Sequence, residues 1–123
     1  MEIIKTDYGY KKVYASGDKL HFNNKDQLHN PNGPAIEWIN GYKEYRVNGA
    51  LHNPNGPAIE YINGGTEYYV NGVKHRTDGP AVENINGCKL YYKNGKLHNT
   101  HGFAVITKKH KLNFLNGKYV WKS

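Results

Sequence analysis

The chain predicts an all-β repeat protein, and three observations carry that expectation. First, His29, His52, His75 and His98 are spaced by 23 residues, with Gly33, Gly56, Gly79 and Gly102 and Ala35, Ala58, Ala81 and Ala104 in the same register. An exact period of this length means one supersecondary unit stacked on copies of itself. Second, nine Asn-Gly pairs punctuate the chain, beginning at Asn32, Asn40, Asn48, Asn55, Asn63, Asn71, Asn86, Asn94 and Asn116. Asn-Gly between short alternating segments is the strongest local signal for a hairpin. Third, eleven Tyr against one Met favour strands. Helical spacing between Gly and Pro breaks survives only weakly, over Phe103–Gly117.

The units follow in order. Residues 1–27 read as capping strands with a partial repeat, 28–50, 51–73 and 74–96 as full repeats, and 97–123 as a degenerate repeat and cap, all within a single domain. In the cap, Gly17-Asp18 and Lys25-Asp26 stand where turns belong, with Phe22 in the place of Tyr45. The string LHNPNGPAI opens the first full repeat at Leu28 and recurs unchanged at Leu51; KHRTDGPAV from Lys74 and LHNTHGFAV from Leu97 are weaker copies. Its Pro-containing HNPNGP portion reads as a long loop. Two-residue turns at Asn40-Gly41 and Asn48-Gly49 then pair Ile36 with Tyr45, Ala35 with Arg46, and Tyr45 with His52. One face thereby carries the trios Ile36/Tyr45/His52, Ile59/Tyr68/His75 and Val82/Tyr91/His98, with Trp38 and Tyr61, and is the expected core. The other carries Ala35, Glu37, Glu44, Arg46, Leu51 and their equivalents, including Tyr69 and Tyr92. It sets Glu37 opposite Glu44 and Glu60 opposite Glu67, so it is expected to be wet. In the last unit Phe103 replaces the proline, one residue is lost before Asn116, and Lys108–Lys111 stands where a glycine turn belongs. Lysines at such an end discourage edge-to-edge aggregation.

Composition bounds the function. A hydrophobic share of 37% suits a thin core. A single cysteine, Cys88, forms no internal disulfide, and no signal-type or membrane-spanning apolar run is present, so a soluble protein of the cytoplasm is expected, the host's if the chain is viral. The net charge of +7 is uneven: all ten acids lie at or before Glu83, and the eight lysines 89, 93, 96, 108, 109, 111, 118 and 122 follow it.

Chemistry finds little purchase in this pattern. Histidines one repeat apart sit roughly 10 Å from each other, too far to share a metal. Each imidazole is instead expected to pack on its tyrosine and bond the HNPNGP loop, a structural part shared with Gly33, Gly56 and Gly79. His98 with His101 would make only a two-ligand site. Cys88 occupies a variable turn position, and Glu37, Glu60 and Glu83 form a ladder, not a paired-carboxylate site. No dinucleotide or phosphate-loop string follows a strand into a helix. No metal, cofactor or catalytic residue is expected.

One string connects the repeat to a family. Tyr68-Tyr69, then Asn71-Gly72-Val73-Lys74-His75, then Gly79, resembles a MORN-type repeat, with its aromatic, Gly-x-x-His and later Gly. The likeness spans about residues 17–117. The His-x-x-x-Gly-Pro-Ala form is similar to repeats of phages, large DNA viruses and bacterial antitoxin-like proteins. That resemblance implies hairpins in a row forming an elongated, twisted single sheet, and roles in protein scaffolding or, in some members, contact with anionic lipid.

Two functions are thus expected. The leading one is a non-enzymatic module that binds another protein through Glu37, Arg46, Glu60, Tyr69, Glu83 and Tyr92, in the manner of a phage-encoded inhibitor of a host or antiviral defence protein; Tyr and Arg are favoured interface anchors. The other is binding of an anionic ligand (nucleic acid, nucleotide or acidic lipid) at the lysine-rich end through Lys108, Lys109 and Lys111. Tyr91, Tyr92, Phe114, Tyr119 and Trp121 are interleaved there. Fifteen lysines against two arginines argue against bidentate base readout. Open edge strands would also permit a homodimer.

Overall fold

The computed structural model describes residues 1–121, and among these every regular element is a β-strand. Among the described residues no helix is long and apolar enough to cross a membrane. Eleven strands lie side by side in chain order: Glu2–Thr6, Gly9–Val13, Lys19–Asn23, Ile36–Glu37, Lys43–Glu44, Ile59–Glu60, Thr66–Glu67, Val82–Glu83, Lys89–Leu90, Val105–Ile106 and Lys111–Leu112. All pairs are antiparallel, and the sheet is open at both ends. After each of the last four main-sheet hairpins the chain makes a shorter one, and these four side hairpins pair Arg46–Val47 with Ala50–Leu51, Tyr69–Val70 with Val73–Lys74, Tyr92–Lys93 with Lys96–Leu97, and Phe114–Leu115 with Lys118–Tyr119.

Asn-Gly serves three purposes. At Asn48, Asn71, Asn94 and Asn116 the Asn and the following Gly both have positive φ, as a two-residue type I′ turn demands, and this sets Arg46 against Leu51. At Asn40, Asn63 and Asn86 only the glycine is left-handed (φ 101° at Gly41), Gly41 N–H donates to the Trp38 carbonyl and Trp38 N–H to that of Tyr42. That is a three-residue loop whose glycine makes the bulge. At Asn32 and Asn55 the pair lies inside the long loop.

The three-residue loop corrects the expected register by one position. Ile36 pairs with Glu44 and Glu37 with Lys43, not Ile36 with Tyr45. Because strand side chains alternate, the slip moves each aliphatic to the other face. Glu37, Lys43 and Tyr45 share one side, called here the tyrosine–histidine face. Ile36, Glu44 and Arg46 share the other, the aromatic face. The anticipated Glu37–Glu44 and Glu60–Glu67 clashes do not arise. Instead the row Lys19, Glu37, Lys43, Glu60, Thr66, Glu83, Lys89 runs across seven strands without like charges side by side.

The core is also not the expected Ile–Tyr–His face. Tyr45, Tyr68, Tyr91 and the four repeat histidines are half-buried. The fully covered residues are Ala35, Ala58, Ala81 and Ala104, flanked by Ile36, Ile59 and Val82. Each alanine lies where the main chain passes from loop to strand and its peptide is bonded on both sides, as in Ala58 N–H to the Glu67 carbonyl and Tyr45 N–H to the Ala58 carbonyl. A methyl group is what such a crossing accommodates, so the core is a column one residue thick.

The ends show how far the repeat stretches. His21, not Phe22, takes the Tyr45 place: its N–H donates to Ala35 and its carbonyl accepts from His29, as Tyr45 does with Ala58 and His52. The offset arises because the Asn23–Gln27 turn has three residues between its ends, with Asp26 at φ 61°. At the other end, Thr107 N–H donates to the His110 carbonyl across Lys108-Lys109, and this tighter turn accounts for the lost residue.

Candidate interaction surfaces

The histidine column ties each side hairpin to the turn or hairpin before it, within the repeat units read from the sequence. Nδ1 of His29, His52, His75 and His98 accepts the backbone N–H of Asn48, Asn71, Asn94 and Asn116 at 2.8–3.0 Å. Each imidazole therefore reaches forward to the next type I′ turn, not to the HNPNGP loop. A second bond runs beside it, Gly72 N–H to the Leu51 carbonyl in one case, and a third from Asn53 N–H to the Tyr69 carbonyl. Accepting at Nδ1 leaves Nε2 carrying the ring proton. The loop is held from within by its own asparagine: Asn30 Nδ2 donates to the Pro34 carbonyl and its Oδ1 accepts Asn32 N–H, with Asn53 and Asn99 repeating the arrangement. In the third repeat Arg76 substitutes, donating to Asp78 and the Pro80 carbonyl while its guanidinium lies over the Tyr68 ring. That ion pair lowers the Asp78 carboxyl below its ordinary range. Gly33 and Gly56 sit against the Nδ2 of Asn30 and Asn53, and a side chain at Gly79 would strike the Arg76 guanidinium. These asparagines were missed in the sequence, although their constant place three residues before the loop glycine was the available sign.

At the N-terminal end the column is closed by a part-buried chain of polar groups with His21 at its centre. Tyr8 Oη lies 2.6 Å from His21 Nδ1, and His21 Nε2 lies 3.1 Å from Glu37 Oε2. A ring protonated at Nε2 satisfies both. Burial lowers the His21 pKa below its ordinary value, against the opposing pull of Glu37. The Tyr8 ring stands between His21 and His29.

On the aromatic face, two carboxylates are held by their neighbours. Glu44 accepts from the Tyr42 hydroxyl and from Arg46 Nε at 2.7 Å, and Glu67 accepts from the hydroxyls of Tyr61 and Tyr69. Burial, with Glu44 second, raises the Tyr42 pKa; the bond to Glu67 pushes Tyr61 up to about 12; burial, then Glu67, raises Tyr69. The rings of Trp38, Tyr42 and Tyr61 follow one another at 5.0 and 5.8 Å.

The six residues expected to bind a partner therefore do not form one patch. Arg46, Tyr69 and Tyr92 are half-buried on the aromatic face, while Glu37, Glu60 and Glu83 are half-buried on the tyrosine–histidine face. Of the residues expected to bind anions, Lys108 and Lys109 form the last tip turn and Lys111 lies in the terminal edge strand. Lys122 lies outside the described residues. Cys88 is half-buried in the position of Tyr42. Among the described residues no group of three or more His, Cys, Asp or Glu converges as metal ligands would.

A further surface emerges at the margin where the main-sheet hairpins turn. Ile39, Ile62 and Ile85, the first residues of three equivalent loops, are 73%, 66% and 72% exposed. Trp38 and Tyr61 stand immediately behind them, 46% and 38% exposed. Successive tips are two strands apart, so the isoleucines form a ridge with a step of roughly 10 Å. The fourth tip replaces isoleucine by Lys108. Compared with known proteins, the chain matches no family model, no curated protein and no solved structure, so its likeness to MORN repeats rests on the sequence motif.

Proposed function

We propose that the protein is a non-enzymatic module that docks on a partner protein along the isoleucine ridge and the adjoining aromatic face. The supporting observation is the ridge itself. An isolated exposed apolar side chain needs no explanation, but three at one repeated position, backed by Trp38 and Tyr61, mark an interaction edge. The partner would present an apolar strip of matching step, and Arg46, Tyr69 and Tyr92 lie within the reach of an interface seated on the same side. Aromatic and Arg side chains are preferred anchors of such contacts.

The experiment is affinity capture by the intact protein and by an I39S/I62S/I85S variant, with nuclease treatment in both arms. The reading expects a protein retained by the parent through nuclease and moderate salt and lost by the variant. Equal retention by the variant, or release by nuclease, would overturn it. All three isoleucines are exposed in turns, so the variant should fold like the parent.

A further inference from the structure

The lysines that follow Glu83 do not gather at the end of the sheet. By register, Lys89 and Lys111 lie in one row with Ile106 between them, and Lys93 pairs with Lys96 while Lys118 pairs with Leu115. Lys89, Lys93, Lys96, Lys111 and Lys118 all project on the tyrosine–histidine face. All but Lys89 are exposed. The same face carries an open cleft of about 620 Å³ lined by Arg76, Tyr91, Lys93, His98 and His101, among others. One repeat upstream a cleft of about 550 Å³ has Val70 where Lys93 stands, so the basic character belongs to the downstream half. The nearby carboxylates are Glu83, beside Lys89 in its row, and Asp78, which Arg76 engages at 2.9 Å.

We infer that this cleft and its lysines bind single-stranded nucleic acid. The cleft is separate from the isoleucine ridge, since its lining comes from residues 76–79, 91, 93 and 98–101 and the ridge from the main-sheet turns. Exposed positive charges on one face, with Lys93 lining the cleft and Lys96, Lys111 and Lys118 beyond its lining, suit a phosphodiester backbone, and an aromatic ring among them offers a platform for a base. Tyr91 lines the cleft and supplies that ring. A flexible strand can lower a base onto Tyr91 while its phosphates follow the lysines. A duplex keeps its bases stacked inside, and an acidic peptide does not pair a flat ring with a charge at every unit as a single strand does. Recognition is of charge and not of sequence. Lysines are point charges, and both arginines are committed, Arg46 to Glu44 and the Gly49 carbonyl, Arg76 to Asp78 and the Pro80 carbonyl. This moves the anion site from Lys108 and Lys109 at the tip to the face behind them.

The test is fluorescence anisotropy with a labelled oligothymidylate across a salt series, using the intact protein. Three variants accompany it: K93Q/K96Q/K111Q/K118Q on the face, K74Q/K108Q/K109Q elsewhere, and Y91A. Binding should weaken steeply with salt. The face variant should lose about tenfold or more in affinity and lower the log–log salt slope by about 3, while the second variant changes little. Y91A should lose affinity severalfold with the slope unchanged, as removal of a stacking ring does. Absence of binding at low salt, equal losses in both lysine variants, or competition by duplex or polyglutamate as effective as by the single strand would overturn the inference.

Discussion

A histidine that accepts a backbone N–H is a specific structural device, and in this chain it recurs at four seams. Removing it exchanges the bond to the exposed Asn71 amide for one to water, so His52→Ala should destabilise the protein by about 0.5–1.5 kcal/mol. Urea denaturation of parent and variant measures the loss, and an unchanged midpoint would show that the bond to Asn71 contributes nothing. His21 behaves differently, because it is buried and its pKa is depressed below the ordinary 6.5. The unfolded chain binds a proton there near pH 6.5 while the folded chain resists it. Stability from this residue is therefore complete above that value and declines as pH falls below it. Stability measured from pH 7.5 to 5 should fall less steeply in His21→Gln than in the parent. Identical profiles would remove His21 as the cause.

Among elements, the turns decide which face each side chain meets. Gly64 has φ 95°, and a β-carbon there would meet nothing within 4 Å. Gly64→Ala should thus lose about 1 kcal/mol from backbone conformation alone. Ala81→Leu, forced into the covered column, should lose about 1–3 kcal/mol through overpacking. Thermal melts of the two variants, ranked against the parent, check both. The second turn of each repeat was legible because Asn48-Gly49 is a type I′ pair with no competing geometry. The first was not, since Asn40-Gly41 fits both a two-residue turn and the end of a three-residue loop. The sequence nevertheless held the sign: pairing Glu37 with Glu44 was unfavourable, and sliding by one position gave Glu37 the lysine it needed. The isoleucine ridge went unread for the same reason, because a loop of two residues leaves Ile39 inside a strand and off the tip.

For the whole molecule, the repeat makes stability a sum over units and seams. Each internal repeat brings one covered alanine, one aliphatic neighbour and one histidine seam, so excising residues 51–73 should leave a folded, less stable protein. A single cooperative melt at lower temperature is expected, checked by circular dichroism; loss of the β spectrum would contradict the additive picture. The all-β class was visible in the periodicity and the turn signals alone. What faces what was not, because a one-residue bulge is a small change in sequence with a sheet-wide consequence. It also divided the expected partner-binding residues between two faces and assembled the lysines on one of them.

The claim that imidazoles fasten each side hairpin's turn to the segment before it is open to direct observation. Nitrogen NMR of uniformly labelled protein should show couplings across the hydrogen bond from the amides of Asn48, Asn71, Asn94 and Asn116 to Nδ1 of His29, His52, His75 and His98. The same spectra should place the ring proton on Nε2 in all four. Rings protonated at Nδ1, with no coupling to these amides, would contradict the account.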